Sequence, residues 1–384
     1  MGGRAPVAGG WSGTLWVSVS ITSPRGFEPF AALIFGSLPL NWSTATRKGG
    51  ETGDPGGAER AAEGHRGPVP GPADTEQAYE RLMAVRGALR RVIRGKDDVI
   101  DGVLTAILAE GSVLLEDVPG VGKTTLAKSL AALIELEFRR IQCTPDLLPA
   151  DILGGSIYQP SGGTFEFRPG PIFCNLLIAD EINRASPRTQ SALLEAMAES
   201  QVTIDGKRYD LKKPFVVIAT QNPMGFEGTF PLPESQLDRF LVRLSMDYPD
   251  SENEVELLLD QASRDPSEGL RPAMHGDQLV ALQRQVREVA VDRKVARYLV
   301  DLVSATRRDS RLQVGCSPRG SKMLLRAAQA RALMHHRDYV LPDDVQKLAP
   351  EVLGHRVALR GLPTRLTESN DIIRELVSGV KVPV

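Results

Sequence analysis

Hydrophobic positions between residues 74 and 250 change their spacing from one segment to the next. A capping pair, Asp74 and Gln77, precedes apolar residues that recur every three or four positions and so predict a helix: Tyr79, Leu82, Val85 and Leu89. Five short apolar runs predict strands: Val113–Leu115, Phe138–Cys143, Leu176–Ile178, Phe215–Ala219 and Leu241–Leu244. Predicted helices lie between them at Thr125–Ile134 and Ser191–Glu199. This alternation predicts an α/β fold with a parallel sheet.

The pattern changes after Pro249, where apolar residues recur only at helical spacing. The clearest such positions are Leu279, Leu282, Val286, Val289, Val295, Leu299 and Leu302. Ser317-Pro318 is typical of a helix start with proline at the first helical position, and Leu341–Leu353 predicts one more helix. We therefore predict an α/β core at residues 74–250 and an all-helical domain at residues 255–384.

Residues 1–73 have a different composition from the rest of the chain. They hold 15 of the 36 glycines and 8 of the 27 prolines, a proportion above the roughly 25–30% that marks low-complexity sequence. Their longest apolar stretch, Phe30–Trp42, is broken by Gly36 and Pro39 and is shorter than the ~20 residues of a membrane-spanning helix. We predict a disordered extension and no membrane span.

Charge and cysteine content narrow the classes of function. The chain has 46 basic and 48 acidic residues, a net charge of −2, which gives no overall attraction to nucleic acid. Its three cysteines, Cys143, Cys174 and Cys316, are far apart in the sequence. This spacing indicates neither a disulfide framework nor a zinc site, and we expect a cytoplasmic protein.

The segment after the first predicted strand carries the strongest chemical signal. It reads Asp117-Val118-Pro119-Gly120-Val121-Gly122-Lys123-Thr124-Thr125 and stands between that strand and a helix. Glycines let backbone N–H groups turn toward phosphates, and the helix adds its positive N-terminus. Lys123 would reach the phosphates and Thr124 would offer a hydroxyl to Mg²⁺. The strict pattern has glycine where Asp117 stands, but the rest of the loop is intact.

Polar residues at the ends of two later strands complete a possible hydrolytic site. Asp180 would hold Mg²⁺, directly or through water, and Glu181 would polarise an attacking water. Asn222 ends another strand with an amide that could orient that water. Arg239 could reach a neighbouring subunit's nucleotide, and Arg319 begins a helix of the second domain. Taken singly, each of these residues is better explained as a strand end, a solvated charge or an ion-pair partner.

These five elements in this order resemble the AAA+ ATPases and, more narrowly, the MoxR family, over about residues 76–375. The segments most specific to that family are Thr144–Pro149, Phe167–Pro171, Asp180–Ala185, Thr189–Met197 and Glu227–Phe240. The resemblance implies a sheet of order 5-1-4-3-2 with a helical lid, and ATP with Mg²⁺ as ligands. It assigns Asn222 as sensor 1, Arg239 as the arginine finger and Arg319 as sensor 2. Val92 and Ile93 would pack against adenine.

The resemblance also implies how such a protein works. Members form homo-oligomeric rings, commonly hexamers, many act with partners carrying von Willebrand A-type domains, and they are thought to be chaperone-like ATPases in metal insertion or complex maturation. Two inserts resemble that clade: a hairpin within Ile157–Phe165, and a second one at Val202–Tyr209 with an Asp-Gly turn. Both hairpins could line a ring pore and contact the client protein. Alternatively, they are surface hairpins with no role in client binding.

Three interpretations remain open from the sequence. The first is a ring-forming ATPase that remodels a partner, and the second is a motor subunit resembling that of magnesium chelatase. The third is a nucleotide-dependent switch or scaffold with little hydrolysis, which the full set from Asp180 to Arg319 argues against. No Asn-Lys-x-Asp run occurs, which favours adenine over guanine.

Removing residues 1–73 should leave the melting temperature and the ATPase rate nearly unchanged. A Gly- and Pro-rich stretch buries too little apolar surface to offset the entropy lost on ordering it. Thermal denaturation of the full and truncated chains measures this. A large loss of stability on truncation would show that this segment packs against the folded core.

Overall fold

The computed structural model describes residues 72–161, 163–222, 228–260, 269–361 and 366–383. The extension predicted for residues 1–73 lies outside these ranges except for its last two residues. Glu227, the first residue of one family-specific segment, also lies outside them. Within the described ranges, no helix has the length and apolar character needed to cross a membrane.

Helices and strands alternate along the first half of the described chain, and helices dominate the second half. The helices are α1 Pro72–Val92, α2 Asp97–Leu108, α3 Lys123–Leu133, α4 Pro149–Leu153, α5 Pro187–Glu199, α6 Glu234–Leu237, α7 Ser251–Asp260, α8 Gly276–Val286, α9 Arg293–Thr306, α10 Pro318–Met334, α11 Pro342–Leu353 and α12 Leu366–Gly379. The strands are β1 Val113–Glu116, β2 Phe138–Gln142, β3 Gly154–Gln159, β4 Thr164–Pro169, β5 Leu176–Asp180, β6 Gln201–Ile204, β7 Lys207–Asp210, β8 Val216–Gln221, β9 Val242–Leu244, β10 Leu312–Val314 and β11 Ala358–Leu359. Two 3₁₀ helices lie at Ile182–Arg184 and Gly354–Arg356.

Five parallel strands form the central sheet in the order β2-β5-β8-β1-β9. Counted among these five strands alone, and starting from β9, this order is 5-1-4-3-2, which confirms the expectation. All five residues of β5 are buried, as a parallel strand covered on both faces requires. Its continuous apolar run therefore carries no alternation, and only its length and polar end mark it as a strand.

The sheet separates two apolar clusters. Side chains of successive strand residues point to opposite faces, so Val113 and Leu115 join one cluster while Leu114 joins the other. The first cluster continues into α1, α2 and the C-terminal helices. The second packs beneath α5 and contains Phe240, which is fully buried. Each leucine buried in this way contributes roughly 1.5–3 kcal/mol relative to exposure.

Two details of the predicted elements were wrong. The helix predicted to be capped at Asp74 begins at Pro72, so Asp74 lies inside its first turn, and α1 crosses the predicted boundary between residues 73 and 74. The region after residue 255 is not all-helical, because β10 and β11 pair antiparallel within it, with Leu312 opposite Leu359. These strands have three and two residues, too few to produce a periodic pattern.

Both predicted hairpins are present. Strands β3 and β4 pair antiparallel, as do β6 and β7. The second hairpin turns at Asp205 and Gly206, whose φ angles of 51° and 76° suit the primed turn expected of an Asp-Gly pair. The hairpins also contact each other, because the hydroxyl of Ser156 donates to the Asp205 carboxylate at 2.5 Å.

Candidate active site

The predicted phosphate loop joins the end of β1 to the start of α3. Gly120 and Gly122 have φ angles of +91° and +94°, a region that side-chain-bearing residues rarely adopt. A Cβ at Gly120 would meet no atom within 4 Å, so open space lies beside the loop. Gly122 is the N-cap of α3, an 11-residue helix whose positive N-terminus favours a bound anion. The loop therefore fits the phosphates of a nucleotide.

Lys123 is the first residue of α3, and its side chain folds across the loop. Its ammonium donates to the carbonyl oxygens of Asp117 at 2.8 Å and Val118 at 2.9 Å. Burial lowers the pKa of Lys123, while the charges of Asp117, Asp180 and Glu181 oppose that shift. These three carboxylates therefore lie close enough to interact with the ammonium. A partly desolvated cation interacts more strongly with phosphate than one in open water.

Asp117 stands where the strict phosphate-loop pattern has glycine, and its carboxylate binds the chain that follows β9. It accepts from the Ser245 hydroxyl at 2.7 Å and from the backbone N–H groups of Met246 at 2.5 Å and Asp247 at 3.0 Å. The residue is only 5% exposed. Its side chain thus fixes the loop against the segment leading into α7, and its hydrogen bond with Lys123 is made by its main-chain carbonyl.

The ends of β5 and β8 meet through Thr220. Its hydroxyl donates to Asp180 Oδ1 at 3.3 Å and accepts from the backbone N–H of Glu181 at 2.9 Å. Arg140 of β2 binds the other oxygen of Asp180 at 2.7 Å. Glu181 has φ 55° and ψ 50°, a left-handed conformation that is unfavourable for this residue type. That turn directs the chain away from the sheet directly after Asp180.

Oxygen donors suited to magnesium occur at this edge. The Thr124 hydroxyl follows Lys123 in the first turn of α3, with Thr125 next to it, and the Asp180 carboxylate ends β5. Among the described residues, no group of three or more His, Cys, Asp or Glu side chains could hold a metal ion. Mg²⁺ commonly uses one or two protein oxygens together with phosphates and water, so this donor set fits it.

The predicted sensor and adenine-contact residues lie at the same edge of the sheet. Asn222 follows β8 directly, and its carbonyl accepts from the Asn183 amide at 3.3 Å. Gln221 beside it has a buried side-chain oxygen with no partner among the described residues, an acceptor that a bound group or water could satisfy. Ile93, which follows Val92 at the end of α1, lies 3.9 Å from where a Cβ on Gly122 would be.

Asp238 links the two predicted arginines, because Arg239 follows it in the chain and Arg319 approaches its carboxylate. Arg239 donates to the carbonyl oxygen of Leu194 in α5 at 3.0 Å. The Nε of Arg319, in the first turn of α10, is 3.9 Å from the Asp238 carboxylate. A third arginine, Arg356, also binds that carboxylate and was not predicted from the sequence. Thr220 and Arg140 were missed as well, since neither belongs to a recognisable motif.

A parallel sheet in this order, with a phosphate loop after β1 and an Asp-Glu pair at the end of β5, defines a nucleotide-binding protein of the AAA+ class. The sequence profile of the ATPase family associated with various cellular activities (AAA) matches residues 112–242. The profile of the AAA lid domain matches residues 304–376. These ranges lie within the core and lid domains predicted from the sequence.

Individual relatives show which family within the AAA+ class the chain belongs to. The chain is 52% identical to the uncharacterized protein YeaC of Bacillus subtilis, over 77% of this chain and 93% of that protein. It is 38% identical to the chaperone MoxR1 of Mycobacterium tuberculosis, over 79% of this chain and 82% of that protein. The crystal structure of a candidate ATPase from Cytophaga hutchinsonii matches with a TM-score of 0.74 at 35% identity, over 81% and 98% of the two chains. The chain belongs to the MoxR family of AAA+ ATPases.

Replacing Asp117 with Asn should lower the free energy of unfolding by about 1–3 kcal/mol, because a buried acceptor of three hydrogen bonds loses its charge and one acceptor oxygen. Asp210→Asn is the matched control, since the Asp210 side chain is exposed and, within the described part of the chain, its one ion pair is with exposed Arg208. A change below about 0.5 kcal/mol is expected there. Urea denaturation measures both. Equal small effects would contradict the structural role of Asp117.

Proposed function

We propose that this protein hydrolyses ATP in a homo-oligomeric ring and uses the cycle to remodel or mature a partner protein or complex. The observation that carries the proposal is the convergence of Lys123, Asp180 and Glu181 beside a glycine loop at one sheet edge. Phosphoryl transfer to water requires a cation that binds phosphate, a carboxylate that binds the metal ion, and a second carboxylate that polarises the attacking water.

Each residue has a distinct role in this proposal. The loop and Lys123 hold the β- and γ-phosphates, while Thr124 and Asp180 hold Mg²⁺, which would neutralise phosphate charge when bound. Glu181 polarises the attacking water from its left-handed turn. Asn222 orients that water or contacts the γ-phosphate. The Thr220 hydroxyl accepts from the Glu181 backbone N–H and donates to Asp180, so it fixes the backbone of Glu181 relative to the Asp180 carboxylate.

Arg239 acts on the nucleotide of a neighbouring subunit in this proposal. Within its own subunit its guanidinium donates to the Leu194 carbonyl in the middle of α5, and it has no described hydrogen bond to its own phosphate loop. Arg319 lies 3.9 Å from the carboxylate of Asp238, the residue that precedes Arg239 in the chain. We propose a hexamer, the common ring of this family, with the core at residues 74–250 and the lid at residues 255–384.

The two hairpins are the proposed contact with the client. Tyr158 and Phe165 are exposed, Phe165 at 72%, and their ring centroids are 5.3 Å apart. Exposed aromatic side chains on a hairpin suit contact with unfolded or loosely folded protein segments. The relative MoxR1 is named a chaperone, which supports this role. A von Willebrand A-type partner and a cytoplasmic location also belong to the proposal, and the three buried free thiols suit a reducing compartment.

Lys123→Ala should abolish ATP binding or hydrolysis, whereas Glu181→Gln should retain ATP binding and lose turnover. Lys123 neutralises phosphate charge in the ground state, while Glu181 acts mainly on the attacking water. Nucleotide affinity and steady-state turnover distinguish the two variants. Normal turnover in Glu181→Gln would remove it from the catalytic role, and a wild type that binds ATP without turnover would favour a switch.

Arg239→Ala should fold and bind ATP but hydrolyse it very slowly, since an arginine supplied from a neighbour contributes ~10³–10⁵ in rate in related enzymes. The wild-type specific activity should rise with protein concentration as rings assemble. Mixing Arg239→Ala with Lys123→Ala subunits should restore activity at interfaces that pair an intact loop with an intact finger. No recovery in verified mixed rings, with a concentration-independent wild-type rate, would exclude the trans-acting finger.

A further inference from the structure

Arg356 is a buried guanidinium that binds the chain on both sides of Arg239. It ends the second 3₁₀ helix, and its side chain is 1% exposed. Its Nε donates to the Asp238 carboxylate at 2.9 Å. Its other nitrogens donate to three main-chain carbonyls of the segment: Asp238 at 3.3 Å, Leu241 at 3.2 Å, and Phe240. One lid side chain thus fixes the backbone immediately before and after Arg239.

Burying this guanidinium has an energetic cost. Burial lowers the pKa of Arg356 to about 10, opposed mainly by the charge of Asp238, so the side chain stays cationic at neutral pH. A buried ion pair is seldom more stabilising than apolar residues of similar volume. Stability alone is therefore a poor reason for placing a cation here. Its several directed hydrogen bonds instead impose one geometry on residues 238–241.

Other parts of the lid region converge on the same segment. The Nε2 of His355, which is fully buried, lies 3.1 Å from the Phe240 carbonyl oxygen. Gly320 lets the first turn of α10 pass close to Arg356, since a Cβ there would lie 2.2 Å from Cys316 Sγ and 3.0 Å from Arg356 Cδ. The lid region therefore contacts the segment through a second side chain, at Phe240, and packs closely around Arg356 itself.

We propose that Arg356 is the positioning residue for Arg239, so that the lid of one subunit sets the placement of the arginine acting on the next subunit's nucleotide. This inference rests on the proposed function, in which Arg239 acts in trans. Among the described residues, none of the hydrogen bonds of Arg356 reaches the loop Asp117–Thr125. Its effect should therefore fall on the neighbouring site and leave its own subunit's loop intact.

Arg356→Lys tests the geometric part of the proposal. Lysine keeps the charge near Asp238, but a single ammonium cannot reproduce the planar set of donors that bridges a carboxylate and three carbonyls. We expect kcat to fall about 10²-fold, the effect of a catalytic group misplaced by about 1 Å. The KM for ATP should change less than about twofold, because loop binding is untouched.

Arg337→Lys is the matched control. Arg337 also lies in the lid region and makes a two-pronged pair, at 2.7 Å for both bonds, with the fully buried Asp344. It has no hydrogen bond to residues 238–241 among the described contacts. We expect it to keep the wild-type kcat, even if its melting temperature falls as far as that of Arg356→Lys.

Mixed rings assign Arg356 to one of two roles. If it positions the finger, Arg356→Lys subunits keep a working loop, so they should regain activity when mixed with Lys123→Ala and gain none with Arg239→Ala. If Arg356 instead supports its own subunit's loop, Arg356→Lys subunits should regain activity when mixed with Arg239→Ala and gain none with Lys123→Ala. Recovery with Arg239→Ala, or with neither partner, overturns the proposal. Differently tagged subunits, co-purified, verify that the rings are mixed.

A reference mixture separates this inference from the proposed function. If Lys123→Ala and Arg239→Ala restore each other while Arg356→Lys behaves as a loop defect, only the positioning role is wrong. If the reference pair shows no recovery, the trans-acting finger itself fails and the inference fails with it. Should Arg356→Lys not fold, Asp238→Asn removes the charged partner at nearly constant size, and the same pattern of recovery is expected.

Discussion

Parallel strand pairing is the constraint on which the rest of this structure depends. Because β1, β5 and β8 run in one direction, their carboxyl ends reach the same edge of the sheet. Leu115 pairs with Thr220, and Ala179 pairs with Ala219, so the residues that follow each strand are brought together from positions far apart in sequence. The phosphate loop, the acidic pair and Asn222 all gain their proximity from this register.

The sequence was most informative where short-range chemistry dictates structure. The Asp205-Gly206 turn follows from local backbone preferences and was predicted from residue types, as was a glycine loop for phosphates, whose Gly120 and Gly122 have positive φ angles. The order of the sheet came from resemblance to a family, because pairing between distant strands leaves no mark in local periodicity. Helix α2 was missed because nine of its twelve residues are buried, which removes the polar face that signals an amphipathic helix.

The contacts that the sequence did not predict are hydrogen bonds from single polar side chains to residues far away in the sequence. Asp117 looked like a departure from a motif, yet its carboxylate binds backbone 129 and 130 residues later. Arg356 belongs to no motif singled out from the sequence, yet its side chain binds Asp238, 118 residues earlier in the chain. Such contacts depend on where the fold places each group, and the neighbouring residues in the sequence do not predict them.

The left-handed backbone of Glu181 implies a trade between activity and stability. Glycine would adopt that conformation without the roughly 1–2 kcal/mol that other residues lose there. The side-chain bonds of Glu181, to Arg184 at 2.9 Å and Gln142 at 3.4 Å, are partly exposed and offset little of that cost. Selection for a stable fold alone would therefore favour glycine at this turn. With the role proposed for Glu181 on the attacking water, its carboxylate is a local cost of that chemistry, and screens for thermostable variants should drift toward inactive substitutions at this position.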